Sequence, residues 1–391
     1  MKTFHFGLLG GLLSIAGIGT VYQYHELQRE KEVIHVNHQL KRLENQLSRI
    51  QQKQEEEIIH PTKDYQVYYQ THPQHQQIFK DGLPSHANVA VTEAYVCSHN
   101  LERKIPNWVI HEVYADERSK QRVADRAFSD FNNRSVTVPT HLRPSTYDYV
   151  GSGYSRGHMC PAGDCIKKSQ QAMDDTFLLS SNIVPQEYKN NANYWYKMEM
   201  LCRDHLPSKF DKVRIINGPV FPVTTKDNKQ HVRYQVIGKN NVAVPPYLFK
   251  VILCENENTH LTGDRQVHLA AFAVPNEPID MDVPLTQFQI PLETLEKQCG
   301  LSIIPNVPKA NQFDLCQTDP SNCAMLSGND WELYDAKRKM GWANSIQDLE
   351  RTINRLKSHD IPLSDDLQRK YDEKRRHLEL AENMNTTLQK K

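Results

Sequence analysis

Two segments of the chain carry side chains whose types and spacing can do chemistry. The first, Tyr149-Val-Gly-Ser-Gly-Tyr-Ser-Arg-Gly-His158-Met-Cys-Pro-Ala-Gly163, sets one arginine and one histidine in glycine-rich backbone. An imidazole titrates near neutrality and can take up or release a proton there, although a single histidine in a turn is more often a satisfied structural residue. The second, Asn190-Asn191-Ala-Asn-Tyr-Trp195-Tyr-Lys-Met-Glu199-Met-Leu-Cys-Arg203, repeats polar and aromatic residues at steps of four. On a helix each such step rotates by roughly 40°, so Asn191, Trp195, Glu199 and Arg203 wind slowly along one face. Pairing of Glu199 with Arg203 one turn apart is ordinary helix stabilisation. An amide and an aromatic ring added to that stripe go beyond what pairing needs.

These segments require a framework, and the chain is long enough for one: 391 residues accommodate roughly two or three domains with a full core. Hydrophobic residues at 38%, charged residues at 24%, 16 Gly and 21 Pro exclude a collagenous, Pro/Gly-rich disordered or multi-span membrane protein. Lys plus Arg and Asp plus Glu balance at 47 each, so a polyanionic partner must meet a local basic surface. The 8 cysteines form no CxxC pair, which argues against a zinc ribbon or a disulfide-dense scaffold and leaves most thiols free.

Residues 3–25 contain no Lys, Arg, Asp or Glu, enough to cross a bilayer at roughly 20 residues per span. Lys2 alone is a weak basic start and no small-residue cleavage site follows, so a retained anchor over residues 1–25 is favoured over a cleaved signal. Val33, Val36, Leu40, Leu43, Leu47 and Ile50 then alternate spacings of 3 and 4. This predicts a short coiled coil or stalk over residues 26–60, with a single amphipathic helix as the alternative. Pro61, Pro73 and Pro84 mark a linker over residues 61–84. Within residues 85–300, apolar runs at 212–219, 248–254 and 267–274 read as buried strands and 190–205 as helix, an α+β domain built on a sheet. Residues 301–391 turn to charged helix formers, with 330–358 and 364–382 reading as a helical hairpin around His359-Asp-Ile-Pro-Leu.

Ser155-Arg156-Gly157-His158, then Leu179-Ser-Ser-Asn182-Ile-Val-Pro-Gln186, then Asn190-Asn191 with Trp195, Glu199 and Arg203, together resemble the DNA/RNA non-specific ββα-metal nucleases. Within that family the chain is most similar to the EXOG branch of the endonuclease G-like mitochondrial nucleases, over about residues 94–380, including a tail similar to the branch's helical C-terminal wing. The resemblance implies a ββα-metal (His-Me finger) core with a central antiparallel sheet. It implies His158 as general base, Asn191 as the direct ligand of a hydrated Mg2+ for which Mn2+ can substitute, and Glu199 holding that ion through water. Eight residues separate Asn191 from Glu199, about 12 Å along a helix, so both cannot easily bind one ion directly. Arg156 and Arg203 would clamp phosphate oxygens, with a loop brace as the alternative for Arg156. Ser155, Asn182 and Gln186 would orient the site or touch the substrate, a plain structural role being the alternative for Asn182 and Gln186.

The chain departs from the family in two places. Ser155 replaces the common aspartate of the tetrapeptide, as in the EXOG branch. One extra residue lies between His158 and Asn191, within 178–181, where a bulge could absorb it but a core strand would slip register. The expected activity is Mg2+-dependent endo- and exonuclease hydrolysis of DNA, with RNA as a second substrate, little sequence preference and action from 5′ ends in mitochondrial DNA maintenance. The expected setting is a homodimer on the mitochondrial inner membrane, with a secretory-pathway membrane as the alternative. The competing function is a catalytically silent, membrane-anchored nucleic-acid tether or assembly subunit.

Overall fold

Side-chain alternation along the long strands decides the layering. On β11 (Tyr247–Glu255), Leu248, Ile252 and Cys254 join one buried cluster while Phe249, Val251 and Leu253 join another, so the sheet is covered on both faces. The computed structural model describes residues 73–135, 138–256 and 266–389. The expected anchor (1–25) and coiled coil (26–60) lie outside the described residues. Among the described residues no helix is long and apolar enough to cross a membrane.

Among the described residues the sheet has seven strands in the order β1 (Val89–Val91), β2 (Val96–Asn100), β3 (Ile105–Tyr114), β6 (Lys212–Val220), β11, β12 (Val267–Pro275) and β13 (Gln312–Asp314). The three strands predicted from apolar runs are β6, β11 and β12. All pairs are antiparallel except β12 with β13, which is parallel, so the sheet is mixed and the purely antiparallel expectation is corrected. The reason is the connection: the chain leaves β12, crosses through a helix at Leu292–Cys299 and re-enters the edge alongside β12, which only a crossover permits. Outside the sheet, β7 (Val223–Lys226) and β8 (Lys229–Val232) form a surface hairpin, and β9 (Val236–Ile237) pairs with β10 (Val242–Ala243).

Two features lie across the expected boundaries. Helix α1 (Gln76–Lys80) falls inside the presumed linker, yet Ile78, Phe79 and Leu83 are buried in the cluster beneath the sheet. At the other end the sheet does not stop at residue 300, because β13 completes its edge and Ile303, Ile304 and Val307 join the same cluster. The helical tail has its own core of Ala336, Met340, Leu349, Ile353, Leu356 and Leu367. What read as one helix over 330–358 is two, because Ser345 accepts the Asp348 amide at 3.1 Å and so starts a new helix.

The opposite face of the sheet carries the chemistry-bearing layer. β4 (Tyr154–His158) pairs antiparallel with β5 (Ile183–Glu187), and α2 (Gln170–Asp175) and α3 (Leu179–Asn182) lie between them in sequence. Next comes the predicted helix: α4 (Trp195–Met200), flanked by π-helical turns at Asn190–Tyr194 and Leu201–His205. The tail helices are α7 (Gly328–Trp342), α8 (Ile346–Ser358) and α9 (Asp365–Gln389), after α5 (Leu292–Cys299) and α6 (Leu315–Thr318). Cys316 and Cys323 form a disulfide, and the other six cysteines are free.

Candidate active site

The β4–β5 register runs without a break from Tyr154 opposite Glu187 to His158 opposite Ile183. The segment 178–181, where an extra residue is expected, leads into the helical turn α3 before the strand begins, and the register after it has neither slip nor bulge. Gly157 lets the hairpin close, since a Cβ there would lie 2.1 Å from Gln186 Oε1. At the end of β4 the His158 ring sits between Phe131 and Phe177, with centroids at 5.3 and 5.0 Å. Its Nε2 is buried and has no hydrogen-bond partner among the described residues. Burial first, then the charges of Arg126 and Arg156, push its pKa down to about 3. The ring is therefore neutral at any ordinary pH, the state a proton acceptor needs.

Ser155 ties the strand to the helix. Its hydroxyl donates to the Gln186 carbonyl at 2.9 Å and accepts from the Asn191 amide nitrogen at 3.1 Å. With its nitrogen engaged there, the Asn191 side chain keeps its oxygen as an acceptor. Asn191 sits in a π-helical turn, a feature frequent at functional sites. Its neighbour Asn190 is buried and donates to the carbonyls of Pro275 and Glu277 at 2.9 Å, pinning that turn to the end of β12.

Glu199 is buried, and that burial, against the attraction of Lys250 and Arg203, pushes its carboxyl up to about 7. Lys250 lies under the helix on β11, where its ammonium donates to Asn217 Oδ1 at 2.8 Å and sits 4.4 Å from the Trp195 ring centroid. Trp195 is thus fully buried against the sheet, so the residues at steps of four do not form one exposed stripe. Arg203 lies against Gly163, with Nη1 3.1 Å from Asp164 Oδ1 and Nε 3.5 Å from Asp204 Oδ2. Asp164 in turn accepts from His111 Nε2 at 3.0 Å. The guanidinium expected to clamp phosphate is largely committed to bracing this loop, which its 17% side-chain exposure reflects.

Arg156 is exposed, its guanidinium 4.2 Å from the Phe131 centroid, next to the His158 ring. Asn182 and Gln186, expected to orient the site or touch the substrate, with a structural role as the alternative, both lie inside. Asn182 is fully buried, accepts the Cys160 amide at 2.7 Å and donates to the carbonyls of Cys160 and Thr176 at 2.8 and 2.7 Å. Gln186, also fully buried, donates to Asn190 Oδ1 at 3.2 Å. The residue missed in the sequence is Arg126. It lies in an exposed loop, and its charge acts on both His158 and Glu199. No periodicity marks it, because it sits in a short 3-10 turn, Arg126–Phe128, 32 positions before His158.

An oxygen-only donor set, an amide oxygen with a carboxylate behind it, suits a hard cation such as Mg2+. Among the described residues no group of three His, Cys, Asp or Glu side chains could hold a metal ion.

Comparison with known proteins agrees with this architecture. The family model for DNA/RNA non-specific endonuclease matches residues 74–310. Human mitochondrial nuclease EXOG is 37% identical over 301 residues, 76% of this chain and 78% of its own. The mitochondrial nuclease of Saccharomyces cerevisiae is 36% identical over 277 residues, covering 67% of this chain and 82% of its own. A solved EndoG/EndoGI complex, reported for the mechanism of EndoG inhibition, contains a chain that superposes with a TM-score of 0.56 at 30% identity, over 64% of this chain and 97% of that one. With a family model matched over more than half of its residues and a relative 37% identical over 76% of it, the chain belongs to the DNA/RNA non-specific endonuclease family and is a nuclease of the EXOG type.

Proposed function

We infer that the protein hydrolyses phosphodiester bonds in DNA, and in RNA as a second substrate, with His158 as general base. The observation that carries this reading is the Asn191–Ser155 hydrogen bond of 3.1 Å, which fastens the helix bearing Asn191 and Glu199 to the strand ending in His158. Asn191 would hold a divalent cation directly, Mg2+ with Mn2+ as substitute, and Glu199 would hold it through water; once bound it supplies positive charge to the phosphate and the leaving oxygen.

His158, held neutral, takes the proton of the attacking water. An arriving phosphate offsets the positive field of Arg126 and Arg156, which raises the affinity of His158 for that proton when it is needed. Arg126 and Arg156 present guanidinium to the phosphate, while Arg203, through Asp164, stiffens the loop following His158. Contacts of this kind read the backbone, so base preference is weak and binding falls with salt.

The names of the relatives support a mitochondrial setting. Action from 5′ ends in mitochondrial DNA maintenance, dimerisation, and an inner-membrane anchor in residues 1–25 belong to the same proposal. The test is cleavage of a labelled duplex by the full chain with Mg2+ or chelator. His158→Ala should abolish cleavage and keep binding; undiminished cleavage refutes the assignment, and absence of any Mg2+-dependent cleavage in the unaltered protein favours the tether.

A further inference from the structure

The contact between the helical tail and the active-site helix has a specific anchor. Arg338, on α7, directs Nη1 to the carbonyl of Ala192 at 3.5 Å, the residue immediately after Asn191. Its guanidinium also lies 4.3 Å from the Tyr196 centroid, on the following turn. Asp335 holds it from the other side, 2.5 Å from Nη2, and Asp335 is itself buried. Around this anchor the two helices interlock through Tyr196 and Tyr334 hydroxyls at 3.0 Å and through Lys197 Nζ at 5.1 Å from the Trp331 centroid.

We propose that Arg338 is a positioning residue for the cation site: by gripping the Ala192 carbonyl and the Tyr196 ring it holds the π-helical turn in which Asn191 offers its oxygen. The proposal rests on the assignment of Asn191 as cation ligand. Ser155 fixes the Asn191 side chain from the strand side. Within the π-helical turn the Trp195 amide reaches back to the Asn190 carbonyl, a wider ring than that of an α-helix. Arg338 supplies the restraint from the tail. The tail thereby sets how well the core binds its cation, without touching the cation itself. Supporting groups behind metal ligands characteristically change affinity by about tenfold or more when removed.

The sign of the effect separates this role from simple electrostatics. Removing a positive charge near a cation site would tighten cation binding, whereas loosening the turn weakens it. The experiment uses the full chain stripped of metal, titrated with Mn2+ while free Mn2+ is counted by electron paramagnetic resonance, with thermal unfolding recorded alongside. Arg338→Met should raise the Mn2+ dissociation constant by about tenfold. Tyr334→Phe removes only the hydroxyl contact with Tyr196, so it tests tail docking in general and should leave the constant unchanged. Binding by Arg338→Met as tight as, or tighter than, the unaltered protein overturns the proposal, as does an equal weakening by Tyr334→Phe. If Arg338→Met does not fold, Arg338→Lys carries the test, since it keeps the charge but loses the planar stacking on Tyr196. It should weaken binding several-fold, and an unchanged constant overturns the proposal. Asn191→Ala locates any failure: if it binds Mn2+ normally, the ligand assignment itself is wrong, and if it loses binding while Arg338→Met does not, only the role of Arg338 falls.

Discussion

Asn182 offers the sharpest separation between a substrate contact and a structural brace. The structure gives its side chain three hydrogen bonds, all to main chain and all buried, joining the residue after Met159 and the end of α2 to the turn before β5. Asn182→Ala leaves the Cys160 amide buried without its acceptor, at a cost of about 1–3 kcal/mol, and deprives two carbonyls of donors at about 0.5–1.5 kcal/mol each. The sum is about 4 kcal/mol, and at about 2 °C per kcal/mol for a chain of this size the melting temperature should fall by about 8 °C. The Michaelis constant of the folded variant for duplex DNA should stay within about twofold, because no atom of the side chain reaches the surface. Scanning calorimetry and steady-state cleavage assays measure the two quantities on one preparation. Asn182→Asp provides a check in the same direction: it keeps an acceptor for Cys160 but loses both donors and buries a charge, so it should be at least as unstable. A variant melting within about 2 °C of the unaltered protein, with a Michaelis constant raised several-fold, would refute the brace and restore the substrate role.

Three further outcomes follow from contacts elsewhere in the site layer. Gly157→Ala should destabilise the hairpin by about 1–3 kcal/mol through collision with Gln186, and Gln186→Ala in the same chain should recover part of that loss, read by denaturant unfolding. Asp175 is buried and its carboxyl is pushed up to about 7, chiefly by burial, so the folded state binds its proton more tightly than the unfolded chain does. The stability of the unaltered protein relative to Asp175→Asn should therefore be highest below about pH 4 and decline until about pH 7, by at most about 4 kcal/mol; a parallel pair of stability curves would contradict this. Arg126→Met removes a charge that acts on His158 and Glu199 together and should lower kcat by about a hundredfold with little loss of melting temperature, since the side chain is exposed; an unchanged kcat would remove it from the site.

The elements around the site were legible in the sequence wherever local spacing carries them. The tetrapeptide ending in His158, the helix from residue 190 to 205 and the strands β6, β11 and β12 are all local patterns, set by turn-forming glycines and by runs of β-branched residues that must be buried. Tertiary packing decided what those patterns could not. Trp195 and Glu199 share a spacing, yet the ring is pressed against Lys250 on the sheet, while burial leaves the carboxylate close to neutrality. Asn182 and Gln186 are polar by type and buried by position, and Asn182 finds its partners inside the packed layer. The parallel edge strand β13 and the packed segment around Ile78 depend on which surface remained to be covered once the sheet had formed. Arg126 and Arg338 reach the site from a short 3-10 turn and from the tail, and no periodicity relates them to His158, because a guanidinium acts through space and along whatever route the fold provides.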